Sequence, residues 1–146
     1  MISRIGNHIY ARDADVAVKL YKDAFGLTEE EPWRDEEGLI IHQNLWKDTG
    51  EHFLSVTEYK HLPNDSFIKK FSADNFLSML FYVFFSNEND MRRAFGILTE
   101  NAKLVREIEL EGEADLVCEL VDKFGVFWHL RVPKDPNVLS GFFTKH

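Results

Sequence analysis

The chain has 146 residues, of which 45% are hydrophobic and 29% charged, which suits one domain whose core needs no disulfide or structural metal. Its balance of 17 basic against 25 acidic residues leaves a formal charge of −8, arguing against nucleic acid or an anionic membrane as partner, because both require clustered cations. A single cysteine, Cys118, excludes an internal disulfide and fits a reducing compartment.

Aromatic residues reach 14%, with 13 Phe, 4 Tyr and 3 Trp. They fit either a Phe-rich core or rings that line a cavity or a subunit interface. The opening run MISRIGNHIYARDADVAV has no long apolar stretch behind its charges, so no signal peptide is expected. No run of about 20 apolar residues is present to span a membrane. The expectation is a cytoplasmic protein.

In chain order, residues 5–11 (IGNHIYA) alternate Ile5, Asn7, Ile9 and Ala11 with Gly6, His8 and Tyr10, which predicts a first strand. Asp13 reads as the N-cap of a helix through Phe25, with Val16, Ala17, Leu20, Tyr21, Ala24 and Phe25 at helical spacing and Gly26 closing it. Residues 28–38 (TEEEPWRDEEG) suggest a poor edge strand broken by Pro32, then a turn from Asp35 to Gly38. Residues 39–46 and 51–59 read as two strands about a turn ending at Gly50. Residues 61–74 read as a linker with room for one helical turn.

The order then repeats. Residues 75–86 (NFLSMLFYVFFS) predict a strand apolar on both faces, with Leu77, Met79, Phe81, Val83 and Phe85 on one of them, as in the centre of a sheet, although a short buried helix would have a similar pattern. Asn87 caps a helix with a stripe of Met91, Ala94, Phe95 and Leu98, ending near Asn101. Residues 103–111 alternate as an edge strand. Residues 116–132 (LVCELVDKFGVFWHLRV) form a hairpin about the turn from Asp122 to Gly125. Beyond Pro133 the apolar Val138, Leu139, Phe142 and Phe143 suggest a tail that docks on its own domain or on a second subunit.

The matching has a period. Asp13 stands 74 residues before Asn87, His42 stands 76 before Cys118, and Gly50 stands 75 before Gly125. The expected fold is therefore α+β: two βαβββ modules (4–60 and 75–132, with a linker at 61–74 and a tail at 133–146) in one domain. Their mostly antiparallel sheets, with helices on the outer face, would enclose a cupped surface, the default ligand site.

A duplicated βαβββ module resembles the vicinal oxygen chelate superfamily of glyoxalase I, bleomycin-resistance proteins and extradiol dioxygenases. The marks are Asp13-Ala-Asp-Val-Ala-Val-Lys-Leu-Tyr21 with Ala24-Phe25-Gly26, Ile41-His42, and Asp122-Lys-Phe-Gly125-Val-Phe-Trp128. The last is similar to an Asp-Pro-Phe-Gly-x-x-Trp signature and points to the PhnB-like branch. The resemblance implies metal ligands on the first and last strands of each half. Here those positions fall at Gly6, near Leu54 or Ser55, near residues 80–82, and at His129, where the family often has glutamate. Only His129 is a strong ligand, so the family metal site is not expected. The resemblance also implies a homodimer.

By alternation, His8, Tyr10, His42, Asn44, Tyr82 and His129 are candidates to line the cup. Each histidine alone could equally be a structural hydrogen-bonding group. Together His8, His42 and His129 could form a rearranged metal site. Glu58 and Glu119 could be desolvated general bases or surface charges. Cys118 reads as a small core residue. Three functions stay open: a metal-independent module binding a small organic ligand, a metal-dependent lyase, isomerase or dioxygenase with a noncanonical histidine site, and a structural or regulatory dimer with a vestigial cup.

Overall fold

The computed structural model describes residues 1–71, 79–112 and 115–135. The predicted strand start at 75–78 and the tail carrying Val138, Leu139, Phe142 and Phe143 lie outside the described residues. The chain divides into two compact units, Met1–Leu77 and Ser78–His146.

The first unit runs β1 (His8–Ala11), α1 (Ala14–Phe25), β2 (Thr28–Glu29), β3 (Trp33–Arg34), β4 (Ile40–Trp46) and β5 (His52–Glu58). A 3₁₀ turn (Tyr59–His61) and the short α2 (Phe67–Phe71) follow. The sheet order is β1-β5-β4-β2, with β3 also on β4; β1 runs parallel to β5 and the other pairs are antiparallel. Pro32 explains the split between β2 and β3, because it cannot donate to a ladder.

Helix α1 starts where two side chains take its free N–H groups. Asp13 accepts from Val16 N at 3.3 Å, and the two oxygens of Glu58 accept from Asp13 N at 3.0 Å and Ala14 N at 2.7 Å. Glu58 is thus no inward-facing base: it reaches from the helix-covered side of β5. The helix ends at Gly26, whose φ of 63° lets its N–H bond Lys22 O. Ala17, Leu20, Tyr21 and Ala24 are buried, and α1 lies against β1, β4 and β5. Ile9, Ala11, Leu45, Leu54 and Val56 supply buried apolar partners on those strands. Val16, expected in the stripe, is exposed. The strand proper begins at His8 rather than Ile5, which is exposed, although Asn7 O still accepts from Ser55 N at 2.8 Å.

The second unit repeats this plan with β6 (Phe81–Phe84), α3 (Glu88–Leu98), β7 (Leu104–Glu111), β8 (Asp115–Val121) and β9 (Phe127–Val132). Its order is β6-β9-β8-β7, with β6 parallel to β9. The registers correspond: His8 faces Ser55 in the first unit and Tyr82 faces His129 in the second, the same offset that separates Asp13 from Asn87. Both units are βαβββ modules, and the fold is α+β.

Asn87 caps α3 by accepting from Asp90 N at 2.8 Å, and the helix buries Met91, Ala94 and Leu98 against β8 and β9. It stops at Leu98, short of Asn101, where Thr99 turns the last carbonyls. Two expectations for the strand before it are corrected. Met79 is exposed, and among the described residues β6 stands at one end of its sheet rather than in the middle. Its apolar faces are both used: the Phe81 ring packs on Trp128 with centroids 5.0 Å apart, and Tyr82 stacks on His129.

The turn from Asp122 to Gly125 explains its own sequence. Asp122 is fully buried. One carboxylate oxygen accepts from Phe124 N and Val126 N at 2.9 and 3.0 Å, and the other accepts from Trp128 Nε1 at 2.9 Å. Gly125 supplies the φ of 85° that the turn needs. The Asp-x-Phe-Gly-x-x-Trp pattern is therefore a folding device, in which one carboxylate ties the turn to the indole at the start of the next strand. Among the described residues no helix is long and apolar enough to cross a membrane.

Candidate functional site

The face of the first sheet opposite α1 carries the site, and two β-bulges build it. Along the β3–β4 pair, Trp33 faces His42 and Arg34 faces Ile40, so Ile41 is an extra residue. The bulge breaks strict alternation: Ile40 stays fully buried, while Ile41 and His42 both line a cavity. The carbonyl of Ile41 accepts the Thr57 hydroxyl proton at 2.9 Å. A second bulge on β5 makes Phe53 the extra residue between the Leu45–Leu54 and Trp46–His52 pairs. Its carbonyl accepts from Asn7 Nδ2 at 3.1 Å. This bulge brings His52 to Ser55, with His52 Nε2 and Ser55 Oγ 2.9 Å apart.

The cavity has a volume of about 760 Å³. His8 and Tyr10 of β1 enter it with stacked rings 4.8 Å apart, and His8 lies 5.6 Å from His42. Trp33, Ile41, Asn44, Thr57 and His61 continue the wall, and Glu30 and Glu31 stand between β2 and β3. Of the Phe, Tyr and Trp residues, Tyr10 and Trp33 line the cavity, and among the described residues no Phe does.

The polar groups form two chains. Thr57 gives its only proton to Ile41 O, so it accepts from His8 Nε2 at 2.7 Å. Neutral His8 then carries its proton on Nε2 and keeps Nδ1 as an acceptor. In the second chain, Ser55 Oγ donates to Asn44 Oδ1 at 2.7 Å, and His42 Nε2 donates to the same oxygen at 3.0 Å. Ser55 consequently accepts from His52, and the amide of Asn44 donates to Glu30. Burial, followed by the neighbouring His42 and His52, holds the partly exposed His8 below the usual histidine pKa. His52 is lowered by burial and then by His42. At the rim, Asp35 accepts from Leu39 N and Glu37 N, both at 2.9 Å, and its other oxygen meets His61 Nε2 at 2.9 Å.

The second unit holds the remaining candidates. Tyr82 stacks on His129 with centroids 4.1 Å apart. His129 Nδ1 lies 2.9 Å from Glu119, whose other oxygen is 3.7 Å from Arg106. His129 Nε2 is buried and has no hydrogen-bond partner among the described residues. Arg131 joins the sheet edge, donating to Tyr82 Oη at 2.9 Å, to Glu111 at 2.8 Å and to Asp115 at 2.7 and 3.0 Å. Cys118 is fully buried, and burial pushes its thiol up to about 12, the behaviour of an inert core residue.

So His8, Tyr10, His42 and Asn44 share one cavity, while Tyr82 and His129 form a stacked pair in the other unit. Sequence reasoning missed Thr57, His61 and Trp33, and it missed Ser55 and His52 as their support. Among the described residues no group of three His, Cys, Asp or Glu side chains could hold a metal ion. Gly6 has no side chain to offer, and Ser55 is engaged with Asn44 and His52. These residues do not fit the ligand set that the resemblance implies.

Comparison with solved structures gives the fold. The chain is similar to the PhnB protein from Bacillus cereus, at 18% identity and a TM-score of 0.70, over 90% of this chain and 100% of that one. It is similar to TioX from a Micromonospora species, at 19% identity and a TM-score of 0.56, over 91% and 98%. It is also similar to a glyoxalase/bleomycin resistance protein/dioxygenase domain from a Frankia species, at 15% identity and a TM-score of 0.60, over 93% and 96%. No protein-family model and no curated protein matches the sequence. These likenesses show that the chain shares the fold of those proteins.

Proposed function

We propose that this chain, which carries the glyoxalase/bleomycin-resistance/dioxygenase fold, is a small-molecule-binding protein that works without the metal site its resemblance implies. The cavity on the first sheet is the observation that carries the reading. At about 760 Å³ it matches a small organic ligand. Apolar and aromatic walls from Tyr10, Trp33 and Ile41 alternate with a few oriented polar groups, chiefly His8, His42 and Asn44. Thr57 and Ser55 hold those groups in place, so the polar face is organised before a ligand arrives. No step of this reading runs through a metal.

The reading keeps a homodimer, tested by sedimentation of the full chain, and a cytoplasmic setting, supported by the lone buried Cys118. Trp33 is an exposed ring at the mouth of the cavity, so its emission should report occupancy. Titration with small aromatic metabolites, followed by fluorescence and by calorimetry, should give saturable binding that Trp33→Ala weakens. Silence across the panel, or an affinity indifferent to both Trp33→Ala and Tyr10→Ala, would sink the reading.

A further inference from the structure

We infer that the cavity on the first sheet selects organic cations, an ammonium group carried on an apolar or aromatic body, over neutral and anionic molecules of the same size. The inference rests on the binding function proposed above and names its ligand class.

Among the described residues that line the cavity, Glu30 and Glu31 carry carboxylates and none is Lys or Arg. The three histidines there are His8, His42 and His61. His8 is held below the ordinary pKa by burial and then by its neighbours, which keeps its ring neutral at pH 8. The wall is therefore negative in a protein whose net charge is already −8. An anion entering it would meet two carboxylates, while Arg34, the cation beside Glu31, does not line the cavity and is paired with Asp15.

The rings supply the second half. Trp33 and Tyr10 offer π faces on the same cavity, and a cation gains from such faces what a neutral group does not. Trp33 sits 6.4 Å from His42, leaving the rings spread around the space rather than collapsed on each other. Glu30 has a fixed place: it accepts from the Asn44 amide, which Ser55 and His42 hold from the other side. A primary ammonium has three donors, and the wall offers the carboxylates of Glu30 and Glu31 to accept them. Discrimination between charges is a difference of affinities, so the carboxylates act as much by rejecting anions as by attracting cations.

The test uses the full chain and three probes of one shape: 2-phenylethylammonium, 2-phenylethanol and 3-phenylpropionate, titrated by calorimetry at pH 8 and low salt. The expected order is cation, then alcohol, then anion, with the cation at least about tenfold tighter than the anion, a difference of about 1.4 kcal/mol. A Glu30→Gln/Glu31→Gln double variant, and Glu31→Gln alone in case the Asn44 bond matters for folding, should shrink that ratio, to below about threefold in the double variant. Alcohol or anion binding as tightly as the cation overturns the inference and leaves the binding function standing. A ratio that survives both substitutions also overturns it. No binding of any probe overturns both.

Discussion

The hydroxyl of Thr57 donates to the carbonyl of Ile41 across 2.9 Å, and that carbonyl belongs to the residue that bulges out of the β3–β4 ladder between Ile40 and His42. A bulge frees a backbone acceptor, and an unpaired acceptor near the core is costly. Thr57 removes the cost and, with its oxygen's remaining lone pairs, positions His8. One buried hydroxyl thus supports the shape of the cavity wall and the tautomer of a cavity histidine.

Replacing Thr57 with Val should therefore cost about 2 kcal/mol of stability, since the isostere keeps the volume and loses the hydroxyl. Thr57→Ser should recover most of the loss. Urea unfolding of the three proteins decides the matter. A Val variant as stable as the Ser variant would show that the bulge carbonyl finds another partner.

Asp122 presents a stronger case, because it is fully buried and accepts three hydrogen bonds from the turn and from Trp128. Asp122→Ala leaves two backbone N–H groups and an indole N–H without their acceptor, for an expected loss of about 3 kcal/mol or more. Trp128→Phe removes only one of those bonds and should cost less than Asp122→Ala at the hydrogen-bond level. Thermal melts of both variants, read by circular dichroism, check the order.

Glu58 tests a helix cap. Its two oxygens satisfy the N–H groups of Asp13 and Ala14, so Glu58→Ala should destabilise the protein by about 1 kcal/mol. Probe binding at the cavity on the opposite face should remain. Loss of probe binding with unchanged stability would instead assign Glu58 to the site.

His8 sets a pH dependence. Its folded pKa lies below the ordinary value of about 6.5, so the unfolded chain binds the proton more readily. The stability it contributes is fully present above about pH 6.5 and is lost as pH falls through the folded pKa. The melting temperature should drop between pH 8 and pH 5, and His8→Gln should flatten part of that slope. Parallel slopes for the two proteins would contradict the assignment.

Much of this architecture is legible in the residues, for reasons that are local. Asp13, Gly26 and Asn87 act within a turn of helix, so their side chains and φ preferences announce the helix ends directly. Tyr10, His42 and Asn44 follow from period-two alternation. Alternation fails where a bulge intervenes: Ile40 and Ile41 read as ordinary strand neighbours, and nothing in either side chain shows that Ile41 is the unpaired one. Thr57 carries no signal in the sequence, and Ser55 stands out only as a weak ligand position, because a small hydroxyl on a strand looks the same whether it supports a histidine or meets solvent. His61 follows a predicted strand end, and only the turn held by Asp35 brings it to the cavity rim. Met79 shows the converse, an apolar residue in a strand-like run that the sheet does not cover.

The parallel pairing of first and last strand in each unit also bears on how the chain reaches its native state. His8 meets Thr57, and Tyr82 meets Arg131, each across 49 residues of sequence. The helices and the two hairpins need only short loops, whereas closing either parallel ladder confines a long one and yields little until the final strand is in position. Refolding should accordingly protect the amides of β4, β5, β8 and β9 before those of β1 and β6. Pulse-labelled hydrogen exchange reads that sequence of events, and the ligand cavity, which needs β1, would be among the last features to form.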